Sequence, residues 1–161
     1  MKHLLIIWHS RTGAAEAMAR AAFEGARDEG EARLNRAGEA QAEDVLAAAG
    51  YLFAAPENLA ALSGEMKEFF DRCYYPVLGR IEGRPYAQMI AAGSDGANAA
   101  RQLARIAVGW RLREVQKPMI VNTDAQTPEQ ILAPKTLPPQ TLAKCRELGA
   151  GMMAGVASGI W

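Results

Sequence analysis

Apolar runs that alternate with amphipathic segments predict an α/β chain. The expected core is a doubly wound, five-stranded parallel sheet in the order 2-1-3-4-5, with helices on both faces. Three observations predict it. The run Leu4-Leu5-Ile6-Ile7-Trp8 is continuously apolar, as a strand covered on both faces must be. A second such run, Tyr51-Leu52-Phe53-Ala54-Ala55, follows after a helical segment, a short polar strand and a weak helix. The segments between the runs carry apolar residues at helical spacing, which is the pattern of crossover helices.

The elements follow in order. After the first strand, Ala15, Met18, Ala19, Ala22, Phe23 and Ala26 form one helical stripe, with Glu16, Arg20, Glu24 and Arg27 on the other face and Gly30 at the expected stop. Ala32 to Asn35 is short and carries Arg33 beside Arg36, the composition of a sheet edge. A weak helix near Glu43 to Ala49 leads into the second buried strand, which Pro56 is expected to terminate. Ser63 then stands where a helix cap is expected, before a stripe of Met66, Phe69, Phe70 and Cys73. Lys67, Asp71 and Arg72 read as an ion-pair set on the outer face, structural in role. Met89 to Ala92 reads as a strand, and Gly93-Ser94-Asp95-Gly96 as the loop that closes it. A helix through Leu103, Ala104, Ala107 and Val108 follows. The last strand falls somewhere in Leu112 to Val121, with Pro118 blurring its limits. Asn122 to Pro139 is rich in proline and threonine and reads as a long surface loop. A final helix from Pro139 carries Leu142, Cys145, Leu148, Met152 and Val156 on one face.

Length and composition bound the function. One domain over residues 1–161 is expected. Half the residues are hydrophobic, 22% are charged and the net charge is zero, so no basic excess points to nucleic acid or an anionic membrane. Cys73 and Cys145 lie far apart, without metal spacing, and each falls on an apolar stripe; buried thiols are expected. The N-terminal apolar run is too short for a signal peptide and no stretch reaches membrane-spanning length, so a cytoplasmic protein is expected.

The most informative stretch is His9-Ser10-Arg11-Thr12-Gly13, which opens the first helix. A helix start presents unpaired N–H groups and a positive dipole end, and the hydroxyls of Ser10 and Thr12 add donors; together these suit a phosphate. The chain lacks both Gly-x-x-x-x-Gly-Lys-Ser/Thr here and Gly-x-Gly-x-x-Gly, so a monophosphate is the better match than a triphosphate or dinucleotide. The alternative, that Ser10 and Thr12 only cap the helix, is open at this level. The 2-1-3-4-5 order favours a site, because the loops after the first, third and fourth strands then meet beside the switch point and are the ones rich in Gly, Pro, Ser and Asn. His9 reads as an ordinary surface group at a strand end, and Trp8 as a sheet-packing residue. The spacing Gly151-x-x-x-Gly155-x-x-x-Gly159 admits close helix contact, in a homo-oligomer or, as the simpler reading, loosely against the sheet.

Two stretches resemble the flavodoxin-like superfamily, and within it the NAD(P)H-dependent FMN reductases and quinone reductases of the tryptophan-repressor-binding-protein type. His9 to Gly13 resembles the phosphate loop of that family. Ala55 to Arg72 resembles its second flavin loop and following helix, with Ser63-Gly64-x-x-Lys67-x-Phe69-x-Asp71-Arg72 as the most specific part. The resemblance implies FMN, with Ser10, Arg11, Thr12, Gly13, Ala14 and Ala15 around its phosphate. It also implies Pro56, Glu57, Asn58 and Leu59 near the ring, and Gly93, Ser94, Asp95 and Gly96 at its other edge. The chain departs from the pattern at Ala14 and Ala15, where the family has a polar residue and then Thr or Ser; one phosphate-facing hydroxyl is absent. Ala60 and Ala61 likewise offer the ring little to stack on.

The implied function is an oxidoreductase in which FMN takes hydride from NAD(P)H and passes electrons to a quinone or another small acceptor. No acid–base pair is then required, since the flavin carries the chemistry. Two readings of other classes stand beside it. One is a flavodoxin-type electron carrier, against which the neutral net charge argues because such carriers are acidic. The other is a flavin-free binding domain that kept the fold, for which Ala14 and Ala15 speak.

Overall fold

The computed structural model describes residues 1–161 throughout. Strand β1 (Leu4–Trp8) occupies the sheet interior because neither of its faces is polar. Its side chains alternate between two cores, as a pleated strand requires. Leu5 and Ile7 join one cluster and Leu4 and Ile6 the other. Helix α1 (Ala14–Glu29) and helix α6 (Pro139–Ser158) cover the second cluster. Helices α2 (Ala42–Ala47), α3 (Gly64–Val77) and α4 (Ala97–Gly109) cover the first. Phe53 sits at the centre of that core, 4.9 Å from the Phe70 ring, with Phe69 and Tyr86 also against it.

The sheet runs β2-β1-β3-β5, where β2 is Ala32–Arg36, β3 is Gly50–Asn58 and β5 is Pro85–Ala92. All these pairs are parallel, and β2 lies at the edge as its arginines predict. The expected five strands become seven. The far edge is divided into β6 (Arg113–Glu114) and β7 (Met119–Asn122), which pair with successive parts of β5. Pro118, which has no N–H to give to a ladder, immediately precedes β7. The other extra strand, β4 (Ala61–Leu62), is a two-residue antiparallel return on the end of β3.

Several expected boundaries move. Pro56 does not end β3; it pairs with Ala91, and its carbonyl accepts from the Ser63 amide. β5 begins at Pro85 rather than Met89, with Gln88 buried inside it and donating to the Ala100 carbonyl. Val108 is exposed, and the buried stripe of α4 is Ala99, Ala100, Leu103 and Ala107. Phe23 is half-buried, and Gly25 takes the buried position on α1. The expected loop 122–139 contains a short helix, α5 (Pro128–Leu132), whose Thr127 side chain accepts from the Gln130 amide.

The close helix contact uses different glycines from those the Gly-x-x-x-Gly spacing suggests. A Cβ on Gly149 would overlap the Ala22 carbonyl, and one on Gly25 would overlap the Arg146 carbonyl. α1 and α6 therefore meet backbone to backbone, with Arg146 bridging to Glu24 and Asp28 across the seam. Gly155 packs under Trp161, while Gly151 faces open space. No helix is long and apolar enough to cross a membrane.

Candidate functional site

The carboxyl ends of β1, β3, β5 and β7 surround a cleft of about 360 Å³, within the range of small-molecule sites. The loop after β1 forms its floor. Gly13 takes a left-handed conformation (φ 106°), which a side chain would strain, and its amide donates to Ser10 Oγ at 3.0 Å. That turn starts α1 with the amides of Arg11, Thr12, Ala14 and Ala15 lacking any protein acceptor. Ala14 and Ala15 pack their methyls inward, so the departure from a hydroxyl pattern leaves the amide donors in place.

The second wall comes from β3 and its hairpin. Pro56, Glu57, Asn58, Leu59 and Ala60 line the cleft. Leu59 and Ala60 connect β3 to β4 with φ values of 50° and 58°. Two consecutive left-handed residues are the signature of the tight hairpin turn that glycine and asparagine normally occupy. Leu59 is fully exposed at the rim. Glu57 is only partly available to a ligand: Oε1 accepts from the Gly96 amide at 2.9 Å and Oε2 from the Ala99 amide at 3.1 Å. Its carboxylate caps α4 and meets the positive end of that helix.

The third loop divides. Gly93 and Ser94 face the cleft, whereas Asp95 and Gly96 turn away to start α4, with Asp95 accepting from the Ala97 amide. Gly93 has no room for a side chain, because a Cβ would stand 2.6 Å from the Ala125 carbonyl oxygen.

A fourth wall has no counterpart in the sequence reading. Thr123, Ala125, the α5 residues Ile131 and Leu132, and Lys135 close the side opposite the hairpin. The Lys135 amide donates to the Thr12 carbonyl at 2.8 Å, and its Nζ lies 3.4 Å from Thr12 Oγ1. The signal for α5 was present as Thr127-Pro128-x-Gln130, a cap, a first-turn proline and a capping glutamine. Nothing local reveals that it folds back onto the first loop.

His9 is not a surface group. It is 8% exposed, with Nδ1 2.8 Å from Ser63 Oγ and Nε2 2.8 Å from Glu65 Oε2. Burial lowers its pKa, Glu65 opposes that shift, and Arg36 and Arg11 add to it. The net direction favours neutral imidazole, with the Nε2 proton on the Glu65 side and Nδ1 accepting from Ser63. Ser63 is consequently occupied and does not cap α3 with its side chain. Trp8 packs between the guanidinium groups of Arg20 and Arg36, away from the cleft. Lys67 pairs with Asp71, and Arg72 pairs with Glu68 while bonding the carbonyls of Ala37 and Ala40. Their role is structural, and Arg72 joins α3 to the segment after β2. Cys73 and Cys145 are free and buried, and burial pushes the Cys145 thiol up to about 11.

Residues 11–126 match the family described as NADPH-dependent FMN reductase. A curated flavodoxin of Aquifex aeolicus (strain VF5) is 39% identical over 98 residues, covering 60% of this chain and 53% of the relative. The chain thus spans about half the length of that relative. Among solved structures, a flavodoxin from the domain Archaea superposes with TM-score 0.78 at 14% identity, covering 96% of this chain and 99% of the other. A flavodoxin, WrbA-like protein from Agrobacterium tumefaciens gives 0.75 at 17% identity, covering 98% and 99%. Identities this low bear on the fold alone.

Proposed function

The chain belongs to the NADPH-dependent FMN reductase family, and from that premise we propose that it binds FMN in the cleft and works as an NAD(P)H-dependent oxidoreductase of the quinone-reductase type. The observation that carries the reading is the convergence of four unpartnered amides and the Thr12 hydroxyl at the opening of α1, inside a cleft of about 360 Å³. Unsatisfied donors at a helix start fit a phosphate dianion. Bound FMN would supply the redox chemistry, accepting hydride from NAD(P)H and passing electrons to a quinone or another small acceptor.

The residues of this chain have the remaining tasks. Ser10, Arg11 and Thr12 bind the phosphate end, with the amides of Ala14 and Ala15 beside them, while Gly13, whose amide is given to Ser10 Oγ, shapes the turn. Pro56, Asn58 and Leu59 flank the ring on the hairpin side, while Gly93 and Ser94 border it from β5. Glu57 positions rather than reacts, since both carboxylate oxygens hold α4. Asp95 and Gly96 shape the third loop and lie away from the cleft. The neutral net charge supports a small-molecule acceptor rather than nucleic acid or a strongly charged docking partner.

The test is reconstitution with FMN followed by gel filtration, which should leave a yellow protein. Anaerobic NADPH or NADH should then bleach the flavin absorbance, and a benzoquinone should restore it over repeated turnovers. A colourless protein with no heat released on titration with FMN would sink the reading. The likeness to a curated flavodoxin favours a second one, a dedicated electron carrier. That reading wins if neither nicotinamide reduces the bound flavin while a separate reductase does.

A further inference from the structure

We propose, resting on the reading that the cleft holds FMN, that Lys135 determines cofactor specificity: its ammonium recognises the phosphate charge and makes the site select FMN over the phosphate-free flavin riboflavin.

The backbone amide of Lys135 donates to the Thr12 carbonyl, so the residue is anchored to the loop that opens α1 although 123 positions separate them. The Nζ atom lies 3.4 Å from Thr12 Oγ1, and its other contacts are the carbonyls of Ile131 at 2.9 Å and Ala133 at 2.6 Å. All three partners are neutral, and no carboxylate lies within the 4.0 Å of an ion pair. The charge therefore remains uncompensated at the edge of the cleft.

An anion accepting a hydrogen bond from the Thr12 hydroxyl would lie within about 6 Å of this ammonium, one hydrogen-bond length beyond the Nζ contact. That is inside the screening length of about 8 Å at physiological salt. The positive end of α1 acts on the same point. Charge from Lys135 thus strengthens a phosphate site whose side-chain hydroxyls stop at Ser10 and Thr12, because Ala14 and Ala15 follow. Arg11 is the other cation of the loop, but it is exposed and makes no hydrogen bond or ion pair through its side chain, so water solvates most of its charge. Lys135 is half-buried and fixed, which makes it the discriminating group.

A purely structural role has a different signature. If Lys135 serves only to bond the Ile131 and Ala133 carbonyls and hold α5, its removal would disturb the cleft for any flavin. Lys135→Met keeps the apolar stem without the charge, and Lys135→Arg keeps the charge. Fluorescence-quenching titrations of the apoprotein with FMN and with riboflavin, each at low and physiological salt, separate the two roles.

Lys135→Met should weaken FMN by about threefold to a hundredfold, the span of a charge pair about 6 Å apart at effective dielectric constants of about 80 down to 20. Riboflavin should change less than twofold, the salt dependence of FMN binding should flatten, and Lys135→Arg should stay near wild type. Equal losses for both flavins, or an unchanged FMN affinity in Lys135→Met while the wild type binds FMN, would overturn the assignment. A wild type that binds neither flavin fails one step earlier, at the cofactor reading, and removes the assignment with it.

Discussion

The imidazole of His9 and the hydroxyl of Ser63 share a buried 2.8 Å hydrogen bond that joins the end of β1 to the start of α3 across 54 residues of sequence. Glu65 accepts from the other face of the ring, so both nitrogens are satisfied away from bulk water. His9 directly precedes Ser10, and its fixed ring therefore sets where the proposed phosphate loop begins. Replacing Ser63 by Ala would leave Nδ1 buried without a donor. A loss of about 1–3 kcal/mol is expected for such an orphaned group, measured as a lower urea midpoint with an unchanged slope.

The same ring makes stability depend on pH. Burial holds the pKa values of His9 and His3 below the ordinary 6.5. The unfolded chain then takes up these protons at a higher pH than the folded one. The sign follows: the stability tied to the neutral rings is complete above about pH 6.5 and is lost as pH falls below it. Urea midpoints at pH 7.5 and 5.5 should differ, with the lower value at 5.5, and His9→Gln should reduce the difference. A His9→Gln slope with pH as steep as the wild-type slope would place the effect elsewhere.

Sequence-level reasoning reached the elements whose own residues state their environment. β1 and β3 are apolar on both faces and could only be interior strands, and β2 announced an edge through Arg33 and Arg36. It failed where a distant partner decides. Gln88 interrupts an apolar run and hides the first half of β5, because the acceptor for its side-chain NH₂, the Ala100 carbonyl, comes from another element. Pro118 obscured the divided edge strand. His9 looks exposed until Ser63 and Glu65 arrive from α3, and Lys135 sits in a proline-rich stretch with no local mark of its contact with Thr12. Of the three loops assigned from the sequence, the first two line the cleft almost entirely, while the third contributes Gly93 and Ser94 and uses its other half to begin α4.

The α1–α6 seam offers a paired test of packing. Gly149→Ala forces a methyl into the backbone of Ala22, so a loss of about 1–3 kcal/mol or more is expected. Gly151→Ala, two residues along the same helix, meets nothing within 4 Å. It should stabilise by about 0.5–1 kcal/mol, the difference between glycine and alanine in a helix. Thermal unfolding of the two variants reads both signs at once, and a similar response in each would mean that the seam is looser than the backbone contact implies.

Glu57 couples the cleft to α4. In Glu57→Gln one oxygen is replaced by an NH₂ group, which cannot accept from either amide, and the negative charge at the helix start is lost. Stability should fall by about 1–2 kcal/mol. In the FMN-loaded protein the reduction potential should also rise, since removing a carboxylate from the cleft wall favours added electrons. Potentiometric titration reads the second effect independently of the first. An unchanged potential with a lowered stability would confine Glu57 to its capping role.

The hairpin tip sets stability against binding. Leu59 holds φ at 50° in a tight turn, a conformation that costs a branched, apolar residue more than asparagine. It is also fully exposed, so no core contact compensates for the strain. Such a residue at the rim of a cleft is explained if its side chain covers an apolar ligand face, as strain retained at functional sites usually is. Leu59→Asn should then raise the stability of the apoprotein by about 0.5–1 kcal/mol, part of the roughly 1–2 kcal/mol that a left-handed conformation costs a residue other than glycine, asparagine or aspartate. It should weaken FMN several-fold at the same time, because the polar side chain gives up the apolar cover. Melting temperature and FMN titration on one sample distinguish the cases. Higher stability with unchanged FMN affinity would reduce Leu59 to a tolerated misfit of the turn, and weaker binding of both FMN and riboflavin to the same extent would place it at the ring rather than at the phosphate.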